Sequence, residues 1–158
     1  MGQKRFETLE EGIDYAKRYC SLQESCAKDV KSHLLKYGMT VQQSEKIIDL
    51  LIDENYINHD RYAQLYTVSK IRQSRWGKIK IKRMLLAKGI EAPCINSAFE
   101  QIDMEEYRNV LQYLFEKKLK SLQVEDEYQK KYRLKYFLTS HGFENDLIEE
   151  IFNQNNLY

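Results

Sequence analysis

Between Arg61 and Ile90 the sequence carries nine basic side chains, Arg61, Lys70, Arg72, Arg75, Lys78, Lys80, Lys82, Arg83 and Lys88, and no Asp or Glu. The chain as a whole holds 25 Lys and Arg against 24 Asp and Glu, a formal net charge of +1, so this cationic middle leaves the flanks acidic. Polarity of this kind reports on partners: such side chains neutralise phosphates or meet carboxylates on another protein. Phosphate binding tolerates sequence and weakens steeply with salt. Docking on an acidic protein surface also weakens with salt, mainly through the association rate. The candidate contact residues are Arg72, Arg75, Trp76, Lys78, Lys80, Lys82, Arg83 and Lys88. Trp76, beside Gly77, either stacks on a base or fills the junction between two structural units. No Asn, Gln and Arg cluster stands at a helix start to read base edges.

Other chemistry lacks a foundation. His33, His59 and His141 are widely separated, and Cys20, Cys26 and Cys94 form no CxxC pair. No spacing matches a zinc or nucleophilic site, so neither a catalytic residue, a metal nor a cofactor is expected. Gly-rich phosphate loops, GxSxG and HExxH are missing. The pairs Glu10-Glu11, Glu105-Glu106 and Glu149-Glu150 read as solvated helix faces. Three unpaired cysteines suit a reducing, cytoplasmic setting. The start, MGQKRFETLEEG, lacks the apolar core of a signal peptide, and Gly2 fails the myristoylation pattern because position 6 is Phe. No apolar run reaches membrane-spanning length.

The elements that must position the basic residues follow from an internal repeat. VKSHLLKYGM (30–39), IKRMLLAKGI (81–90) and LKYFLTSHGF (134–143) align on Gly38, Gly89 and Gly142. Val30 and Leu34, Ile81 and Leu85, and Leu134 and Leu138 are i, i+4 pairs that share one helical face. The glycine predicts a left-handed cap, and Met39, Ile90 or Phe143 folds back on the last turn. Another helix follows: Thr40 and Gln43 form a capping box, and Pro93 suits a first turn. A helix also precedes each motif, marked by Tyr15 and Tyr19, Tyr62 and Tyr66, and Tyr107 and Leu111, with Asp60 as N-cap of the middle one. The layout is all-α: three tandem three-helix units, wingless helix-turn-helix in kind, spanning 1–56, 57–103 and 104–158. Units of about fifty residues are marginal alone and share burial by stacking. IKIK at 79–82 alternates but is too short for a strand. The twelve Tyr and six Phe read as core rings whose hydroxyls reach the surface.

On the wheel of the central helix Ile81, Met84 and Leu85 face inward. Lys78 and Lys82 flank them on one side, and Lys80 and Arg83 lie beyond the other. The cations therefore fan around the exposed arc, which suits a groove or a crossing polyanion better than major-groove insertion.

Residues 54–103 resemble the central repeat of the RecX family of recombination regulators. The matching elements are Tyr56-Ile57-Asn58, Asp60, Tyr62-Ala63, Gly77, Ile81, Leu85 and Lys88-Gly89-Ile90. His59 stands between the Asn and the Asp where the family pattern has none, and the first and third repeats match more loosely. The resemblance implies an elongated, curved array of three-helix repeats that is not an enzyme. It implies a cytoplasmic, monomeric modulator acting in DNA repair, homologous recombination and the SOS response. Such proteins bind the RecA recombinase, chiefly as its filament on single-stranded DNA, and restrain filament extension, ATP hydrolysis and strand exchange; single-stranded DNA is thus an expected partner, met directly or through the filament. The rival reading from the residues alone is a general DNA-binding helical module that needs no recombinase.

Overall fold

The structure is a computed structural model, and it describes residues 4–157. The expectation about Gly2 concerns a position outside these residues. Among the described residues every regular element is a helix: α1 (Leu9–Leu22), α2 (Ala27–Lys36), α3 (Val41–Asp53), α4 (His59–Ser69), α5 (Lys78–Ala87), α6 (Ala92–Glu100), α7 (Met104–Ser121), α8 (Glu127–Ser140) and α9 (Asn145–Gln154). They follow one another as three sets of three.

The repeat motif forms in all three sets. Gly38, Gly89 and Gly142 adopt φ of +97°, +76° and +93° at the ends of α2, α5 and α8. The next residue donates its N–H back to the carbonyl five positions earlier: Met39 to Leu34, Ile90 to Leu85 and Phe143 to Leu138, at 3.0, 3.0 and 3.4 Å. This satisfies a carbonyl that the helix end leaves bare and turns an apolar side chain inward. Met39, Ile90 and Phe143 are buried accordingly, as are the i, i+4 pairs before them. Burying each large aliphatic side chain contributes about 1.5–3 kcal/mol.

The starts of the helices follow local chemistry. Thr40 and Gln43 close a capping box on α3, with reciprocal bonds of 3.0 and 3.1 Å. Pro93 lies in the first turn of α6. The cap of α4 differs from expectation: Asn58, rather than Asp60, accepts the Arg61 N–H at 2.9 Å. Both residues are suitable acceptors two positions apart, and the earlier one starts the helix.

The chain divides into two compact units. One comprises the chain through Leu65 together with Leu85–Ile95; the other comprises Tyr66–Met84 with the chain from Asn96 onward. The divisions thus fall inside α4, α5 and α6. In the first unit α1, α2 and α3 enclose Ala16, Val30, Leu34, Ile47 and Leu51. In the second, α7 packs on α8 around Tyr107, Phe115, Leu138, Phe143 and Phe152. The Tyr107 and Phe143 rings meet at a centroid distance of 5.2 Å.

Not every aromatic enters a core. Tyr128, Tyr132 and Tyr136, one helical turn apart on α8, are 78%, 65% and 71% exposed. The acidic pairs are also more than solvated faces. Glu106 holds Arg72, Glu149 holds Lys135, and Glu150 holds Arg108.

Candidate binding surface

Beyond Arg61, the basic residues of the middle begin where α4 ends. Instead of stopping at Ser69, the helix widens into one π-helical turn, Lys70–Ser74. Arg75 terminates it at φ +54°, a left-handed conformation unusual for a residue with a side chain. The Trp76 N–H closes the turn on the Lys70 carbonyl at 3.0 Å. Wide turns of this kind cost helix regularity and recur at functional sites. Here the turn brings Lys70 back beside Trp76, with its ammonium 4.7 Å from the centre of the indole. The Lys80 ammonium lies 4.5 Å from the same ring. Trp76 is half-buried, so a partly open indole carries two cations.

The first turn of α5 is built by distant residues. The Gly77 N–H donates to the His141 carbonyl at 2.8 Å, and the Ile79 N–H to the Gly142 carbonyl at 3.0 Å. Between them the Lys78 N–H donates to the Tyr107 hydroxyl at 2.9 Å. Three N–H groups at or beside the start of the helix are thereby satisfied by the end of α8 and by α7. Gly77 is required by this approach: a Cβ there would stand 2.3 Å from the Gly142 carbonyl oxygen. Tyr107 also donates its hydroxyl to Glu144 at 2.5 Å. Burial, and then this bond, raise its phenol pKa well above the usual 10.0.

Around this frame the expected contact residues take different roles. Arg72 donates to Glu106 through Nε and Nη2, at 2.6 and 3.2 Å. That bond raises the Arg72 pKa further. Arg75 lies 4.5 Å above the centre of the Tyr113 ring. Lys78 approaches Glu144 at 3.9 Å. Lys88 belongs to the other unit, where it pairs with Asp29 at 3.0 Å. Lys80, Lys82 and Arg83 have no carboxylate partner among the described residues, and Lys82 and Arg83 are exposed on α5. The eight positions therefore resolve into a structural set, Arg72, Lys78 and Lys88, and an available set of Lys80, Lys82 and Arg83, with Lys80 beside Trp76 and Arg75 held on the Tyr113 ring.

Sequence reasoning overlooked two residues. His59 lies at the start of α4. Its Nε2 accepts the Ala27 N–H at 3.2 Å, and its Nδ1 meets Glu91 at 3.0 Å. Ala27 opens α2, whose preceding residue Cys26 supplies no side-chain cap, so the imidazole does. Its place as an addition to the family pattern was the available signal. Arg61 pairs with Glu24 and also donates to the Asn55 carbonyl at 3.1 Å. Among the described residues no group of three or more His, Cys, Asp or Glu is placed to hold a metal. Nor is any helix there long and apolar enough to cross a membrane.

Residues 58–98 match the family model for the second three-helix domain of RecX, and residues 105–152 match that for its third. The chain belongs to the RecX family. Regulatory protein RecX from Oceanobacillus iheyensis is 28% identical over 149 residues, covering 94% of this chain and 54% of that one. RecX from Bacillus thuringiensis is 29% identical over 143 residues, covering 90% and 53%. The chain thus spans about half the length of these curated relatives. The crystal structure of RecX from Lactobacillus salivarius superposes with a TM-score of 0.83 at 26% identity, covering 95% of this chain and 97% of that one. A second crystal structure of a regulatory protein RecX gives 0.84 at 22% identity, covering 92% and 71%, and shares the fold.

Proposed function

We propose that this chain is a non-enzymatic, cytoplasmic regulator that acts as a monomer on the RecA recombinase. It binds the recombinase filament on single-stranded DNA and restrains filament extension, ATP hydrolysis and strand exchange. The observation that carries this reading is the match of two consecutive segments, 58–98 and 105–152, to successive RecX domains. The cation distribution supports it. Lys80, Lys82 and Arg83 keep their charge available for an anionic partner, whether DNA phosphate or an acidic recombinase surface. Contacts from more than one repeat would reinforce one another through effective concentration on neighbouring protomers.

The test is recombinase ATPase on single-stranded DNA, titrated with this protein at two salt concentrations. The parent lowers turnover, and more protein is needed at the higher salt. Lys82→Glu with Arg83→Glu, two exposed positions, keeps its helical circular dichroism and raises the half-inhibitory concentration about tenfold or more, as reversal of charges at an electrostatic interface does. Unchanged inhibition by the folded double variant discards α5 as the contact, and no effect of the parent on turnover discards the regulator reading. A second reading, a helical module that binds DNA without a recombinase, draws on Trp76, whose indole two ammonium groups approach. Tight DNA binding combined with undisturbed ATPase would establish that reading instead.

A further inference from the structure

Helix α8 carries both neutralised and unpaired basic residues. Of its basic residues, Lys130 is paired with Glu127 at 2.7 Å, Lys135 with Glu149 at 2.7 Å, and Lys131 approaches Glu149 at 3.9 Å. Arg133 is exposed and has no carboxylate partner among the described residues. It lies on the side that carries Tyr128, Tyr132 and Tyr136. The groove beside Tyr132 and Tyr136 is also bordered by Lys118, whose ammonium sits 5.1 Å from the centre of the Phe137 ring. No carboxylate lines this groove or the adjoining one beside Tyr128.

Three rings that are 78%, 65% and 71% exposed are not serving this chain's own core. Tyrosines at i, i+4 and i+8 stand about 6 Å apart along a helix. That interval exceeds the roughly 3.4 Å rise of bases stacked in a duplex strand. It fits bases unstacked from one another and laid singly on aromatic faces, which a single strand can supply and a duplex cannot. Stacking platforms flanked by cations are the recurrent way of holding single strands without regard to sequence. Tyr and Arg also mark protein interfaces; the ring spacing and the uniformly positive charge of this face favour the nucleic acid.

We infer that the Tyr128, Tyr132 and Tyr136 face of α8 binds single-stranded nucleic acid, the rings stacking on bases while Arg133 and Lys118 neutralise phosphates. This inference stands apart from the recombinase reading, because it concerns a different helix and a contact that needs no recombinase.

The experiment is fluorescence anisotropy of a labelled oligothymidine titrated with the full chain, recombinase absent, at low and moderate salt. Tyr132→Ala and Tyr136→Ala each weaken binding about fivefold or more, and the pair more than either. Tyr132→Phe with Tyr136→Phe retains affinity, since the ring rather than the hydroxyl is used. Arg133→Glu weakens binding and flattens its salt dependence. Circular dichroism and thermal melting confirm that these exposed replacements leave the fold in place. Parent-like binding by the alanine variants overturns the inference, as does equal loss in the phenylalanine variants or no binding by the parent. If the alanine variants bind the oligonucleotide normally but lose recombinase inhibition, the face contacts protein and the inference falls. Failure here leaves the recombinase reading untouched, because that is judged by ATPase with variants of α5.

Discussion

The Tyr107 hydroxyl accepts the Lys78 N–H at 2.9 Å and donates to Glu144 at 2.5 Å, so one side chain of α7 secures the first turn of α5 and the approach to α9. Tyr107→Phe keeps the ring but strips both bonds. Leaving the buried donor unmatched costs about 1–3 kcal/mol. Urea denaturation will show this loss, and a parent-like midpoint would mean that water replaces the hydroxyl without penalty. Because the folded pKa of Tyr107 is raised, its contribution is complete below pH 10, the ordinary phenol value, and declines above it.

Two glycines in equivalent positions should respond unequally to the same substitution. Both Gly89 and Gly142 have positive φ, but a Cβ at Gly89 meets nothing within 4 Å, whereas one at Gly142 falls 2.4 Å from the Lys80 Cβ and 2.6 Å from the Lys80 nitrogen. Gly89→Ala is expected to cost about 1–2 kcal/mol, the strain of a left-handed L-residue. Gly142→Ala adds a backbone clash and should exceed about 3 kcal/mol. Thermal melting of the two variants side by side checks the ordering, and equal losses would deny the close approach of α8 to α5.

His141 provides an acid response. Burial, and behind it the nearby Lys80 ammonium, push its imidazole pKa below the ordinary 6.5. The unfolded chain therefore takes up a proton that the folded chain refuses, and stability falls as pH drops below 6.5. His141→Gln should lessen the difference in unfolding free energy between pH 7 and pH 5. An identical pH dependence in parent and variant would assign the acid sensitivity elsewhere.

His59→Ala removes the acceptor for the Ala27 N–H and the partner of Glu91. Loss of such a helix cap costs about 1–2 kcal/mol. Hydrogen exchange at the first amides of α2 will report it locally, faster in the variant than in the parent. Unaltered protection there would show that the imidazole is dispensable to the helix start.

What could be read in advance was what a short stretch determines by itself. Gly38, Gly89 and Gly142 each follow an i, i+4 apolar pair, and a left-handed cap with an inward-turning next residue is the local solution, as all three show. Thr40 and Gln43 are likewise three residues apart and needed no tertiary context. The site was legible as a composition and not as an arrangement. Nothing near Lys70–Ser74 signals a wide turn, since its stop is Arg75 adopting φ +54° without being a glycine. Arg72 looked as available as Arg83 because Glu106, which neutralises it, lies 34 residues away. His59 reaches α2 across 32 residues. Such pairings are set by how helices pack, and residue spacing along the chain carries no trace of them.

The carbonyls of His141 and Gly142 finish the beginning of α5. A protein shortened before α7 would consequently open three amides to solvent at the start of α5, two of which are bonded to carbonyls more than sixty residues downstream. The repeats are thus joined more like carpentry than like beads on a string, and shuffling, trimming or transplanting one of them means recutting its neighbour.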